Sequence, residues 1–378
     1  MANHSIILAT TLLLLICLPT TDVFGFQETP FQNNSRLDLG TQNNLTASVR
    51  MGDLDSDRDL DLVVANGRHW PQQNFIFLNQ GRSRFSVQRR LGHDLETTYA
   101  TELADLDGDG DLDIAVGNDM APNRIFLNDG KGQFDEGSSF GPITGIRSLE
   151  LADLDRDGDI DILSVSRGSA NLFFLNDGTG KFAPGRPFGT GDDSTIDVAV
   201  GDFNQDGHPD LALANRDGQS NSILINDGQL NFDQRITIGK SLEQSRSILF
   251  ADFNRDGQLD VAVANIGSTN KIYLGNGGTG FDRTIAFGQP TGNSYSMVAA
   301  DLDNDQDLDL VIGNVQQANS VYLNQGNGIE FKPIPFGVSD SNTYGLAVGD
   351  LNGDGMKDIA TANSGSPNRL FINRLGHQ

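Results

Sequence analysis

The chemistry of this chain is concentrated in seven nine-residue phrases: DLDSDRDLD from Asp53, DLDGDGDLD from Asp105, DLDRDGDID from Asp153, DFNQDGHPD from Asp202, DFNRDGQLD from Asp252, DLDNDQDLD from Asp301 and DLNGDGMKD from Asp350. Positions 1, 3, 5 and 9 are Asp or Asn in every copy, whereas position 7 is Asp in four copies and His208, Gln258 and Met356 in the rest. A loop that closes on a hard cation has this pattern: alternate side-chain oxygens, a backbone carbonyl at position 7 whose side chain is free to vary, and Gly at position 6 for a sharp turn. The candidate ligand positions are Asp53, Asp55, Asp57, Asp59 and Asp61; Asp105, Asp107, Asp109, Asp111 and Asp113; Asp153, Asp155, Asp157, Asp159 and Asp161; Asp202, Asn204, Asp206, His208 and Asp210; Asp252, Asn254, Asp256, Gln258 and Asp260; Asp301, Asp303, Asp305, Asp307 and Asp309; and Asp350, Asn352, Asp354, Met356 and Asp358. Asx-turns capping strand ends would not demand Asp or Asn at four fixed positions. Oxygen-only donors point to Ca2+ rather than zinc, and the adaptable loop to Ca2+ rather than magnesium, with up to seven ions. Arg58 and Gln306 replace the turn glycine, so the first and sixth loops are expected to bind least well.

The charge balance agrees. The 378 residues hold 51 acidic and 26 basic side chains, a net charge of −25, and the acids divide into 44 Asp and only 7 Glu. The seven loops hold 29 of those Asp residues, a density that requires counter-cations. Seven divalent ions would bring the net charge to about −11. So acidic a surface excludes nucleic acid as a partner, because phosphate binding needs surplus cations.

The loops recur at spacings of 52, 48, 49, 50, 49 and 49 residues, which defines a repeat architecture. Each copy reads as four short runs of β-branched and aromatic residues separated by Gly, Asn and Asp turns. In the second copy these include ELADLDGDGDLDIAVGN from Glu102 and NRIFLNDGKGQF from Asn123. Seven such units predict an all-β fold, a seven-bladed β-propeller with four-stranded antiparallel blades. The last copy lacks a fourth strand, and FQNNSRLDLG at residues 31–40 supplies the missing phrase, so an N-terminal strand is expected to close the final blade. Position 2 of each loop is Leu or Phe, expected to point inward. Residues 1–25 read as a signal peptide around IILATTLLLLICL, with residues 26–378 as the propeller. Cys17 lies in that signal, so the mature chain has no thiol or disulfide and no expected membrane span. A secreted, periplasmic or cell-surface location follows.

The loop signature, with Phe140-Gly141, Phe188-Gly189, Phe287-Gly288 and Phe336-Gly337, resembles the FG-GAP/VCBS repeat family, the calcium-binding propeller repeats also found in the head of integrin α subunits. Leu91-Gly92 and Ile238-Gly239 approximate the Phe-Gly pair, while the Gly-Ala-Pro half is poorly kept. The resemblance spans residues from about 31 onward. Integrin-type propellers carry the loop in only some blades; here all seven have it. The family includes sugar-binding lectins and modules attached to polysaccharide lyases, and its propellers are implied to bind partners on the face opposite the calcium loops.

On that face, six residues before each loop, stand Ala47, Tyr99, Arg147, Ile196, Arg246, Tyr295 and Tyr344. Three tyrosines and two arginines around a channel mouth can stack on sugars and hydrogen-bond hydroxyls or carboxylates. The longest loop between strands 2 and 3 adds Arg68, His69 and the single tryptophan, Trp70. Packing between blades is the plain alternative for all of them. The expected function is non-enzymatic recognition or adhesion, with a glycan or extracellular protein as ligand. The alternative is an enzyme acting on polysaccharide or sugar, for which Glu96, Glu102 and Glu150 are the candidate acids. No zinc-type His/Glu pair and no nucleophile elbow occurs.

Overall fold

The computed structural model describes residues 29–40, 42–239, 243–340 and 342–377; the proposed signal peptide and Cys17 lie outside the described residues. The fold is a seven-bladed β-propeller of antiparallel blades with no α-helix among the described residues. Blade 2 is typical: Thr98–Ala104, Asp113–Asn118, Asn123–Asn128 and Phe134–Phe140 form strands 1 to 4 from the channel outward. Strand 2 of every blade begins at the ninth loop residue and is wholly buried in six of them, as befits a strand covered on both faces. Strand 4 is the outer edge. In blade 3 it shrinks to Arg186–Phe188, since Pro184 and Pro187 remove the donors a longer ladder needs.

Blade 7 closes as expected. Phe31–Gln32 and Asp38–Leu39 both pair antiparallel with Asn368–Asn373, separated by a short 3-10 turn at Ser35–Leu37. Phe31 is buried, its ring 5.8 Å from that of Phe336, so the latch joins the packing between blades 6 and 7.

The core is a set of wedges between adjacent blades. Between blades 2 and 3, Ile125 and Phe140 meet Leu149, Ile162 and Phe174, with Leu106 beneath. Position 2 of every loop, Leu54 to Leu351, is no more than 1% exposed and pins its loop to a wedge. The Phe-Gly pair has a steric reason here. Gly141 has φ of +65°, and a β-carbon on it would lie 2.7 Å from the Phe174 ring of the next blade.

Polar clamps stitch the same interfaces. On the loop face, Asn at the end of strand 3 donates to the preceding blade: Asn128 Nδ2 to the Leu54 carbonyl at 2.9 Å, Asn176 to Leu106, Asn324 to Phe253, Asn373 to Leu302 and, closing the ring, Asn79 to Leu351. On the other face, Asn at the start of strand 3 donates to a hydroxyl of the following blade: Asn74 to Thr98, Asn171 to Thr195, Asn221 to Ser245, Asn270 to Ser294 and Asn319 to Thr343. Each blade interface thus has at least one clamp, which matters in a ring held without disulfides.

Candidate functional site

The Asp loops join strands 1 and 2, and all seven share one backbone design. The position 1 carboxylate accepts from the position 6 amide, and the position 5 carboxylate from the position 7 amide, as in Gly110 N to Asp105 Oδ2 (2.9 Å) and Asp111 N to Asp109 Oδ1 (3.0 Å). Position 9 is buried and doubly anchored: Asp113 accepts from Leu106 N at 2.9 Å and Asn128 N at 2.8 Å. Arg58 and Gln306 hold φ of +74° and +76°, like the glycines at the equivalent positions, so both unusual loops keep the common shape. A non-glycine residue bears some strain there.

Several loop oxygens converge without protein partners. Carboxylate oxygens of Asp53, Asp55 and Asp57, of Asp105, Asp107 and Asp113, of Asp153, Asp155 and Asp161, and of Asp301, Asp303 and Asp309 lie within 4.8 Å of one another in each group. Asp55 Oδ1, Asp107 Oδ1, Asp153 Oδ1, Asp301 Oδ1 and Asp303 Oδ1 are buried and accept no hydrogen bond. Burial, then the neighbouring carboxylates, pushes Asp55, Asp107, Asp155 and Asp303 above the ordinary range. Burial also pushes Asp61, Asp309 and Asp358 up to about 7, and Asp113, Asp161, Asp210 and Asp260 up to about 6, against the backbone amides that favour their charge. Orphaned, crowded carboxylate oxygens are the donor set a divalent cation satisfies, so these residues fit a metal ion.

The other three loops differ. Asn at position 3 already bridges carboxylates, Asn204 Nδ2 to Asp206 Oδ2 at 2.8 Å and Asn254 Nδ2 to Asp256 Oδ2 at 3.0 Å, while Asn352 reaches Asp358 at 3.3 Å. Position 7 side chains lean over the strand 3–4 turn of their own blade. A β-carbon on Gly130 would lie 2.4 Å from Asp111 Oδ2, one on Gly178 2.7 Å from Asp159 Oδ2, and one on Gly228 2.6 Å from His208 Nε2. Asp307 instead pairs with Arg255 of the fifth loop at 2.8 Å.

The opposite face holds the second site. Every inner strand carries a register shift, between Thr46 and Ser48, Thr98 and Ala100, Ile146 and Ser148, Thr195 and Asp197, Ser245 and Ser247, Ser294 and Ser296, and Thr343 and Gly345. The residue passed over is Ala47, Tyr99, Arg147, Ile196, Arg246, Tyr295 or Tyr344 in turn. The ring of residues expected at the mouth is therefore a ring of bulges, the device that re-aims a side chain out of a ladder.

These side chains pack on one another. Arg246 lies over the Tyr295 ring (5.2 Å), Tyr295 meets Tyr344 edge to face (5.0 Å), and Arg68 covers Tyr344 (3.5 Å). On the other side, Arg147 covers Tyr99 (4.4 Å) and pairs with Asp119 (3.2 Å), while Tyr99 Oη and His69 Nδ1 are 3.0 Å apart. Burial and the cations Arg68 and Arg147 lower the His69 pKa. Trp70 is 72% exposed and stands apart from this stack.

Below the mouth is a cavity of about 540 Å³. Arg50 Nε donates to Glu102 Oε2 at 2.7 Å, and a second guanidinium nitrogen meets Glu102 Oε1. Asp197 accepts from Ser148 Oγ (2.7 Å), Ser247 Oγ (3.0 Å) and Ile248 N (3.1 Å). Glu150 lines the same cavity, its pKa raised well above the ordinary value by burial and then by Glu102 and Asp197. Of the three candidate acids, Glu96 is not in this cavity: it accepts from Arg124 and from Asn118 Nδ2 at 2.9 Å. Sequence reasoning missed Arg50 and Asp197; only a fixed strand register reveals that they line the cavity.

A family description, the FG-GAP-like repeat, matches residues 53–116, 105–164, 153–213, 202–263, 252–312 and 301–361. A search of curated protein sequences returns no relative of this chain. Among solved structures of similar fold are two crystal structures of BBS1N in complex with ARL6DN, one soaked with mercury and one with lead. They are 15% and 13% identical to this chain at TM-scores of 0.60 and 0.61, each covering 91% of this chain and 97% of the other. At that identity the likeness is one of fold. The repeated match across the seven Asp-loop blades establishes that this chain belongs to the FG-GAP-like repeat family.

Proposed function

We propose that this protein is an exported, calcium-stabilised propeller whose bulge-lined face recognises a glycan or an extracellular protein without catalysing a reaction. The observation that carries the reading is the ring of seven bulges, which turns arginine and tyrosine side chains out of the sheet ladders and around the mouth of a cavity. The loops on the far face would hold the ions that rigidify this scaffold. Ca2+ is the cation that oxygen-only, adaptable loops select. The four loops with Asp at position 3 would bind more tightly than the three with Asn, a ranking set by charge and not by position 6.

An array of glycans and candidate extracellular proteins, probed with residues 26–378 in millimolar calcium, tests this. Binding lost in Arg147→Ala and Tyr344→Ala supports it; an array without any ligand sinks it. The enzyme alternative rests on Glu150, a carboxyl lining the cavity whose pKa is raised well above the ordinary value by burial and then by Glu102 and Asp197. Turnover of a polysaccharide abolished by Glu150→Gln would favour it. Against it, Arg50 holds Glu102 in a two-bond ion pair, and Asp197 is engaged by Ser148, Ser247 and the Ile248 amide.

A further inference from the structure

We infer that the ligand of the channel mouth is an acidic sugar, its oxyanion held by Arg68 and Arg246; this rests on the recognition reading above. Seven of the 20 arginines, Arg50, Arg124, Arg147, Arg235, Arg255, Arg369 and Arg374, form salt bridges among the described residues. Of the four arginines that line the cavity, Arg50 and Arg147 are paired while Arg68 and Arg246 are not. Among the described residues no carboxylate forms a salt bridge with Arg68, Arg216 or Arg246. Arg68 rests on Tyr344, Arg246 on Tyr295, and Arg216 donates its Nε proton to Gln244 Oε1 at 3.2 Å. Burial, then Arg216 and Arg68, bring Arg246 down to about 10, despite the opposing pull of Asp197.

The stacking geometry changes what the mouth can bind. Guanidinium groups already cover one face of each of the three tyrosine rings, and Tyr344 abuts Tyr295 edge to face. Rings so occupied are poor platforms for neutral sugars. Guanidinium edges, in contrast, are shaped for carboxylate or sulfate oxygens. The size of the cavity favours a sugar over a protein surface. A volume of about 540 Å³ ringed by seven inner strands suits one or two sugar residues.

The test is calorimetric titration of residues 26–378 in millimolar calcium with three matched oligosaccharides: a uronate, its sulfated counterpart and the carboxyl-reduced neutral form. At least one acidic form is expected to bind tenfold or more tightly than the neutral form, and to weaken several-fold as salt rises from 50 to 500 mM. Arg246→Gln and Arg68→Gln are expected to lose at least tenfold in affinity, with Arg246→Lys retaining more, while circular dichroism and calcium-dependent melting stay as in the parent. Whichever acidic form binds identifies the oxyanion. Equal affinity for neutral and acidic forms, or acidic-sugar binding unchanged in both Gln variants, overturns the inference and leaves sugar recognition standing. Preference for an acidic peptide overturns the sugar assignment. A protein that binds no sugar and no protein fails at the recognition reading itself.

Discussion

Asp at position 9 of each loop has two tasks that pull its ionisation in opposite directions. It accepts two backbone amides, as Asp309 does from Leu302 N and Asn324 N, which favours the carboxylate. It is also buried beside other carboxylates, which favours the acid, and the second effect dominates, with values of about 6 to 7. Because these groups titrate above their unfolded value near 3.8, the metal-free native state binds more protons than the unfolded chain between about pH 4 and 7. Stability in excess EDTA is therefore expected to be fully expressed near pH 4 as far as these groups are concerned, and to fall as pH rises through 7. Calcium should abolish that loss, since the cation takes the place of the protons. Urea melts at pH 5 and pH 8, with and without calcium, measure it; an EDTA form as stable at pH 8 as at pH 5 would contradict the assignment. Asp113→Ala should destabilise even the metal-free form, because it leaves two buried amides unpaired at about 1–3 kcal/mol each.

At the scale of elements, the propeller is held by clamps and by its latch. Removing the Asn128 side chain deletes hydrogen bonds to the Leu54 and Leu112 carbonyls, so Asn128→Ala is expected to cost about 1–3 kcal/mol in a denaturant titration. The equivalent position in blade 5 is Gly275, where a β-carbon would meet the Leu259 carbonyl at 2.2 Å; that interface relies on Asn221 and Ser245 instead. Phe31→Ala should cost about 3–5 kcal/mol, as expected for an aromatic truncated in a closed core. Unchanged denaturation in Phe31→Ala would mean that the ring closes without its latch. Blades, loops and latch were legible in the sequence because a 49-residue period and a missing fourth-strand phrase are local facts. The split of the latch into two short pairings was not legible, since its inner partner, strand 3 of blade 7, sets the register.

For the whole molecule, the proposed calcium sites and ring closure are expected to act together. Each site filled at tenfold its dissociation constant contributes about 1.4 kcal/mol to the native state, so several sites in millimolar calcium should raise the melting temperature by many degrees over EDTA. Direct titration is expected to show the first, second, third and sixth loops filling before the others, and Asp107→Asn to remove one early site. A melt that calcium leaves unmoved would withdraw the calcium reading. The amino-acid sequence by itself determined the repeat, the strand count, the loop chemistry and the residues around the mouth, because hydrophobic alternation, turn residues and Asp spacing act within one blade. Only the tertiary structure decided that Ala47, Tyr99, Arg147, Ile196, Arg246, Tyr295 and Tyr344 sit on bulges, that arginines cover the tyrosine rings, and that Arg68 and Arg246 line the cavity without a carboxylate partner. The physical reason is that such contacts join different blades, and their partners are fixed by ring closure and strand register rather than by neighbours along the chain.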